Sequence, residues 1–159
     1  MIPPKVIMTE GEERTPRYLY IDPGETYGYA GFNGIGEVVS FGQFHYNVDV
    51  TTINNLITPE IIFVGIEDYR NYSSHQQKKW SRNQTSKNIG KIETVCELKG
   101  VPYALLMSGN KTTGYLMLGL QPPSNHSISH QYDAAAHGAN HLTIHGIRDP
   151  MLNIPEGER

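Results

Sequence analysis

Cysteine is almost absent: Cys96 is the single one among 159 residues. A disulfide framework within the chain is therefore excluded, and so is a Cys-rich zinc site. This usage fits a reducing compartment, so a cytoplasmic, intracellular location is the expectation. Long apolar runs are missing too: no stretch approaches the roughly 20 residues of a membrane span. The first residues do not read as a secretory leader, because Met1-Ile2-Pro3-Pro4 is broken by prolines and acids follow. There is no internal repeat and no long low-complexity tract. Hydrophobic residues make up 38% and charged residues 18%, a balance that favours one folded core over disorder, and the length suits a single domain.

An excess of positive charge is also lacking, since the formal net charge is −3. Taken alone, that argues against a nucleic-acid binder, but the distribution matters more than the sum. Residues 1–68 hold ten acids and three bases, a balance of −7; residues 69–132 hold eight bases and two acids, a balance of +6. Between Asp68 and Glu93 stand Arg70, Lys78, Lys79, Arg82, Lys87 and Lys91 with no acid, and Tyr69, Tyr72 and Trp80 are interleaved with them. A cationic stretch with aromatics suits a phosphate backbone carrying unstacked bases. A solvated helix face with a mobile loop would produce the same pattern.

The hydrophobic pattern predicts nine elements. Residues 1–16, with three prolines and several acids, read as a loose arm or a short added strand. Tyr18 to Ile21 is a strand running into the turn signal Asp22-Pro23-Gly24. Tyr27 to Phe32 and Glu37 to Phe41 complete an antiparallel meander. Val48, Thr52, Ile53, Leu56 and Ile57 have helical spacing, and Pro59 stops that helix. Ile61 to Ile66 is a continuous apolar run, as in a strand buried on both faces, and it terminates in Glu67-Asp68. Residues 69–82 should be loop. Ile89, Ile92, Val95 and Cys96 place a helix over 83–99, stopped by Gly100. Pro102 to Met107 is a fifth strand, Lys111 to Leu120 a short helix, and Ser129 to Leu142 an alanine-rich last helix. The tail after Pro150 should fray. The order β-β-β-α-β-α-β-α-α predicts an α/β fold, a five-stranded mixed sheet with helices on both faces.

Three acids fall at mechanically similar places. Asp22 ends the first strand, Glu67 ends the central one, and Asp133 sits near the start of the last helix. Carboxyl ends of parallel strands commonly carry functional groups. Two carboxylates there, with a third from a crossing helix, form a hard-oxygen set suited to Mg²⁺ or Mn²⁺. His130 and His137 lie three residues before and four after Asp133, on one helical face with it. Five of the seven histidines fall between 126 and 145, which leaves a zinc site open. There is no His-Glu-x-x-His pattern, however, and the accompanying acids favour the harder ions. Each feature has a plainer reading: Asp-Pro-Gly makes a turn whatever its chemistry, and Glu67 could be a solvated strand end.

Three segments together resemble the RuvC-type Holliday junction resolvases of the RNase H-like superfamily. They are Tyr18-Leu19-Tyr20-Ile21-Asp22-Pro23-Gly24 with the following Gly28-Tyr29-Ala30-Gly31-Phe32; Ile61 to Glu67; and His130-Gln131-Tyr132-Asp133-Ala134-Ala135-Ala136-His137. The resemblance runs from about Arg17 to His145. It implies an RNase H-like nuclease domain over 17–148, between a flexible arm at 1–16 and a tail at 149–159. It implies that Asp22, Glu67, His130 and Asp133 are catalytic metal ligands for two Mg²⁺ or Mn²⁺ ions, with His137 behind them. It places Tyr69 at the position of an aromatic that enters the junction, and Lys111 at a basic position near the DNA backbone. Arg70, Tyr72, Lys78, Lys79, Arg82 and Lys87 would complete the DNA surface. It further implies hydrolysis of branched DNA by a homodimer, with one apolar face of the 83–99 helix expected between the two chains. The small size and divergence resemble phage-encoded members, which would place the protein in a host cytoplasm.

Departures from the family are the acidic N-terminal arm, the low net charge and the poor match over residues 69–82. They bear on branch preference and cleavage-sequence preference. Three other readings stand beside this one. One is an RNase H-like nuclease acting on flaps, forks or RNA–DNA hybrids. Another is a catalytically silent nucleic-acid-binding protein of the same fold. The third, a nucleotide-binding module of the actin and sugar-kinase type, also uses an Asp-x-Gly turn but needs a second lobe that 159 residues cannot supply, and it leaves Glu67 and His130-x-x-Asp133 without a role.

Overall fold

A computed structural model describes residues 1–24, 26–44, 48–68, 79–107, 111–120, 129–152 and 157, with the backbone alone described at 79–83 and 129. The elements are β1 (Tyr18–Pro23), β2 (Tyr27–Phe32), β3 (Val38–Phe44), α1 (Val50–Leu56), β4 (Phe63–Glu67), α2 (Lys79–Lys99), β5 (Tyr103–Leu106), α3 (Lys111–Met117) and α4 (Ser129–Ile144). Their order is the one expected from sequence. The strands form one five-stranded mixed sheet in the order β3-β2-β1-β4-β5. The meander β1–β2–β3 is antiparallel, whereas β4 and β5 run parallel to β1. Helix α2 begins at Lys79, four residues before the expected start, so part of the polar stretch assigned to loop is helical. That stretch has no apolar stripe of its own to reveal a helix.

Alternation along the strands sorts side chains onto two faces. Leu19 and Ile21 of β1 and Val64 and Ile66 of β4 face α1 and α2, meeting Ile53, Ile57, Ile89, Ile92, Val95 and Cys96. Tyr18, Tyr20, Phe32 and Phe63 face the other way, onto Ala134, Ala135, Ala139 and Leu142 of α4. The expectation that the Ile61–Ile66 run is buried from both sides is met. So is helix packing on both faces. Fully burying an isoleucine contributes about 1.5–3 kcal/mol, so the α2 face, with Ile89 and Ile92 wholly buried, carries much of the fold's stability.

Local signals bound the helices, and Gly100 is the stop expected for α2. Asp49 caps α1, its side chain accepting from the Thr52 N–H at 2.7 Å. Helix α2 closes on Gly100, at φ +67°, where the Gly100 N–H reaches the Glu97 carbonyl and the Val101 N–H reaches the Cys96 carbonyl. This doubly bonded ending needs a left-handed residue after the helix, and glycine supplies it without strain. Helices α3 and α4 close in the same way at Gly119 and Gly146. Residues 1–16 contain no helix or strand but touch the domain: the Tyr18 hydroxyl donates to the Pro4 carbonyl at 2.8 Å, and the Asn33 side chain to the Glu13 carbonyl at 2.9 Å. Arg148, almost fully buried, donates to carbonyls of Gly36, Met117 and Leu152 and ties the β2–β3 turn to α3.

Inside the α4 face one histidine is structural. His141 lies against the Phe63 ring, and its Nδ1 is 2.8 Å from the hydroxyl of buried Tyr20. A hydroxyl donating to Nδ1 needs the neutral ring. Burial and the neighbouring His145 accordingly lower its pKa from 6.5 to about 4. An unfolded chain therefore takes up the proton first on acidification. The stabilisation is complete above about pH 6.5 and is lost as pH falls from there through about 4. Replacing His141 with Gln should flatten this dependence. The melting-temperature gap between pH 7 and pH 4 should be smaller in the variant, by a share worth about 1–2 kcal/mol after allowance for partial exposure. Equal pH profiles for both proteins would contradict the assignment.

Candidate functional site

The site is assembled by register. β1 and β4 pair in parallel with Ile21 beside Ile66, so Asp22 and Glu67 come next at the ends of neighbouring strands. Parity turns both toward α4 and away from α2. Asp22 is 0% exposed and Glu67 2%, which rules out solvated strand ends. Charges buried this deeply require partners, and α4 and α3 provide them.

Helix α4 presents His130, Asp133 and His137 along one stripe. His130 Nδ1 lies 3.1 Å from Asp22 Oδ2, and His137 Nε2 lies 3.1 Å from Glu67 Oε1. Thus the two histidines flanking Asp133 reach one strand-end acid each. Burial raises the pKa of Asp22, with His130 opposing and Glu67 reinforcing that rise. His130 moves up as well, chiefly through its contact with Asp22.

Helix α3 closes the other side. Lys111 Nζ lies 3.2 Å from Glu67 Oε1 and 3.0 Å from Asp133 Oδ2, and Tyr115 donates to Asp133 Oδ1 at 2.6 Å. Burial works against the Lys111 charge, but Glu67, Asp22 and Asp133 outweigh it and hold the ammonium well above its ordinary pKa. Burial and Asp133 likewise raise Tyr115, keeping the phenol protonated.

All four side chains expected to gather do converge on this end of the sheet. Their arrangement differs from the expected ion cage, because Lys111 stands between Glu67 and Asp133. Among the described residues no three His, Cys, Asp or Glu side chains close around a point as they stand. The donor chemistry nevertheless fits a hard divalent ion. Asp22 Oδ1 and Glu67 Oε2 are buried carboxylate oxygens without a hydrogen-bond partner, and Glu67 Oε1 lies near Lys111 and His137 but has no aligned hydrogen bond. Buried oxygens left in that state call for a cation.

Lys111, expected near the DNA backbone, is turned inward. Lys87 is exposed on α2, compatible with an outer contact. Lys91 donates to the Val48 carbonyl at 3.2 Å and ties α2 to the start of α1. Tyr69, Arg70, Tyr72 and Lys78 lie outside the described residues, as do the side chains of Lys79 and Arg82. The apolar stripe of α2, expected between two chains, is closed against its own sheet: Ile89, Ile92 and Cys96 are fully buried.

Two polar residues were not picked out from sequence. Tyr115 stands one turn after Lys111 and shares its face, a signal visible in Lys111-x-x-x-Tyr115. Asn88, 1% exposed, points its amide at the Gly24 carbonyl, 3.5 Å away, behind the Asp22 turn. A polar residue one position before Ile89, at the head of the apolar Ile89–Cys96 stripe, was its signal.

Gly28 sets how close α4 can come. It pairs with Asp22 across β1–β2, and a methyl there would lie 2.0 Å from the His130 carbonyl oxygen. The clash is with backbone and cannot be relieved by a rotamer. Gly28→Ala should lift the first turn of α4, at about 1–3 kcal/mol of stability. His130 would then titrate closer to 6.5 in an NMR experiment, since the Asp22 contact that raises it is weakened. Unchanged stability and unchanged titration would contradict this packing.

The architecture is the RNase H-like fold. Among solved structures, the chain is similar to T. thermophilus RuvC in complex with Holliday junction substrate, with TM-score 0.56 and 12% identity over 82% of this chain and 96% of that one. A further structure, Thermus thermophilus RuvC, aligns with TM-score 0.49 and 15% identity over the same shares. No protein-family model and no curated protein sequence matches the chain. No helix among the described residues is long and apolar enough to cross a membrane.

Proposed function

We propose that the protein is a divalent-metal-dependent endonuclease that cleaves branched DNA, with the four-way junction as its principal substrate. One observation carries this reading: three carboxylates from β1, β4 and α4 meet at one end of an RNase H-like sheet, and two of them are buried with oxygens that no hydrogen bond satisfies. Stability does not explain such an arrangement, since unpaired buried carboxylate oxygens are costly.

Asp22, Glu67 and Asp133, with His130, would hold Mg²⁺ or Mn²⁺. When bound, two such ions activate water and stabilise the leaving oxygen of a phosphodiester. The protein's own groups do the rest. Asp22, the most buried acid, is placed between the Glu67 and His130 sides. His130, with Nδ1 3.1 Å from Asp22 Oδ2, holds the Asp22 carboxylate in place. His137 orients Glu67, and loss of such an orienting contact typically weakens metal affinity or activity by about 10–100-fold. Asn88 supports the turn that aims Asp22. Lys87 and the basic stretch holding Arg70, Lys78, Lys79 and Arg82 would grip phosphates, and Tyr69 or Tyr72 would stack on an unpaired base. The similarity to RuvC bound to a Holliday junction substrate supports branched DNA as the ligand. Action in the cytoplasm fits the cysteine usage.

Asp22→Asn should reduce Mg²⁺-dependent cleavage of a four-way junction to background while gel-shift binding of the junction persists. Wild-type-like cleavage by that variant would remove the assignment. Parallel digestion of a four-way junction, a fork and an RNA–DNA hybrid sets the substrate: preferential cutting of the fork or hybrid would replace the junction reading with a broader nuclease.

A junction needs two symmetric cuts, so we also propose a C2 homodimer. Because the α2 stripe is closed, the shared surface lies elsewhere. Sedimentation should return the mass of two chains at micromolar concentration; a mass of one chain at high concentration would contradict the dimer.

A further inference from the structure

Among the described residues at the site, Lys111 is a charged group that the nuclease reading leaves without a task. It is not on an outer face. Its ammonium sits 3.2 Å from Glu67 Oε1 and 3.0 Å from Asp133 Oδ2, a position bracketed by two carboxylates. Tyr115, on the same face of α3, covers the other Asp133 oxygen at 2.6 Å. Both oxygens of Asp133 are therefore taken by α3. The opposite half of the cluster is different: Asp22 Oδ1 and Glu67 Oε2 are buried and have no hydrogen-bond partner.

Helix α3 holds this position through backbone contact. A methyl at Gly114 would lie 2.0 Å from the Ala136 carbonyl oxygen, so α3 rests directly on α4, between the turns that carry Asp133 and His137. The ammonium is thus placed by packed helices, and its location is not that of a loosely held surface lysine. An ammonium and a divalent ion are attracted by the same oxygens, and they cannot share one site between two carboxylates.

We propose that Lys111 is a built-in counter-ion for the Glu67–Asp133 half of the site, so that the DNA-free protein takes one divalent ion at the Asp22–Glu67 half and a second only when Lys111 withdraws. This rests on the metal-dependent reading above and adds to it an order of loading. It makes Lys111 a positioning residue: it holds Glu67 and Asp133 apart from each other's charge in the ion-free protein, and it sets how many ions the resting site accepts.

The test counts ions without any cleavage. Calorimetric titration of the full, DNA-free chain with MnCl₂, with bound Mn²⁺ counted by electron paramagnetic resonance, should give one tight ion for the wild type. Lys111→Met, similar in length and uncharged, should give two, or tighten the second at least tenfold. Lys111→Arg keeps the charge and should retain one. Without metal, Lys111→Met should melt below the wild type, and Mn²⁺ should raise its melting temperature by the larger amount. If that variant does not fold without metal, refolding it in Mn²⁺ and counting ions after desalting gives the same stoichiometric answer.

Equal ion number and equal affinity for wild type and Lys111→Met would overturn the proposal. Asp22→Asn separates the two levels. If it removes the tight ion while Lys111→Met changes nothing, the counter-ion role is wrong and the metal site stands. If Asp22→Asn binds Mn²⁺ as the wild type does, the metal-dependent reading itself fails.

Discussion

Two carboxylates buried side by side at the ends of neighbouring parallel strands are the constraint around which the rest of this protein is arranged. Asp22 and Glu67 have essentially no exposure, and bringing like charges out of water together is costly. Among the described residues, polar groups from α3 and α4 answer that cost. His130 meets Asp22, His137 meets Glu67, and Lys111 reaches Glu67 from a different helix. Burial raises the pKa of Asp22 and the His130 contact opposes that rise, while the same contact raises the pKa of His130.

These contacts require α4 to lie close to the sheet. Its inward residues are small, Ala134, Ala135, Ala136 and Ala139, and Gly138 sits where a Cβ would be 2.3 Å from the Phe32 ring. Gly28 on β2 clears the same path for the first turn. The two faces of the sheet divide the labour accordingly. The α1 and α2 face is filled with Ile, Val and Leu side chains and contributes mainly cohesion. The α4 face is aromatic and alanine-rich at one end and ionic at the other. Cohesion on one side lets the other keep a strained set of charges.

Much of this was legible in the chain. Element order followed from period changes, and the helix stop at Gly100 was read from a single residue, whereas the Asp49 cap of α1 was not picked out. The acids were legible too, because each stands where a hydrophobic run ends: Ile21 then Asp22, Ile66 then Glu67. Parity along β1 and β4 even orients both toward the same face. The 79–82 start of α2 was not legible, since Lys79, Trp80, Ser81 and Arg82 carry no apolar stripe. Nor was the fate of Lys91, which looks like part of a cationic surface but serves the α1–α2 contact.

By itself, then, the order of residues determined which strands exist, where they stop and which acids they carry to their ends, because those outcomes depend on alternation and turn chemistry within about ten residues. Only the tertiary structure decided what those acids face. The inward turn of Lys111, the closing of Tyr115 over Asp133 and the separate pairing of His130 and His137 depend on how two helices cross a sheet. A lysine in a polar segment reads identically whether its ammonium meets water or two carboxylates; distance in space, not neighbours in sequence, makes the difference.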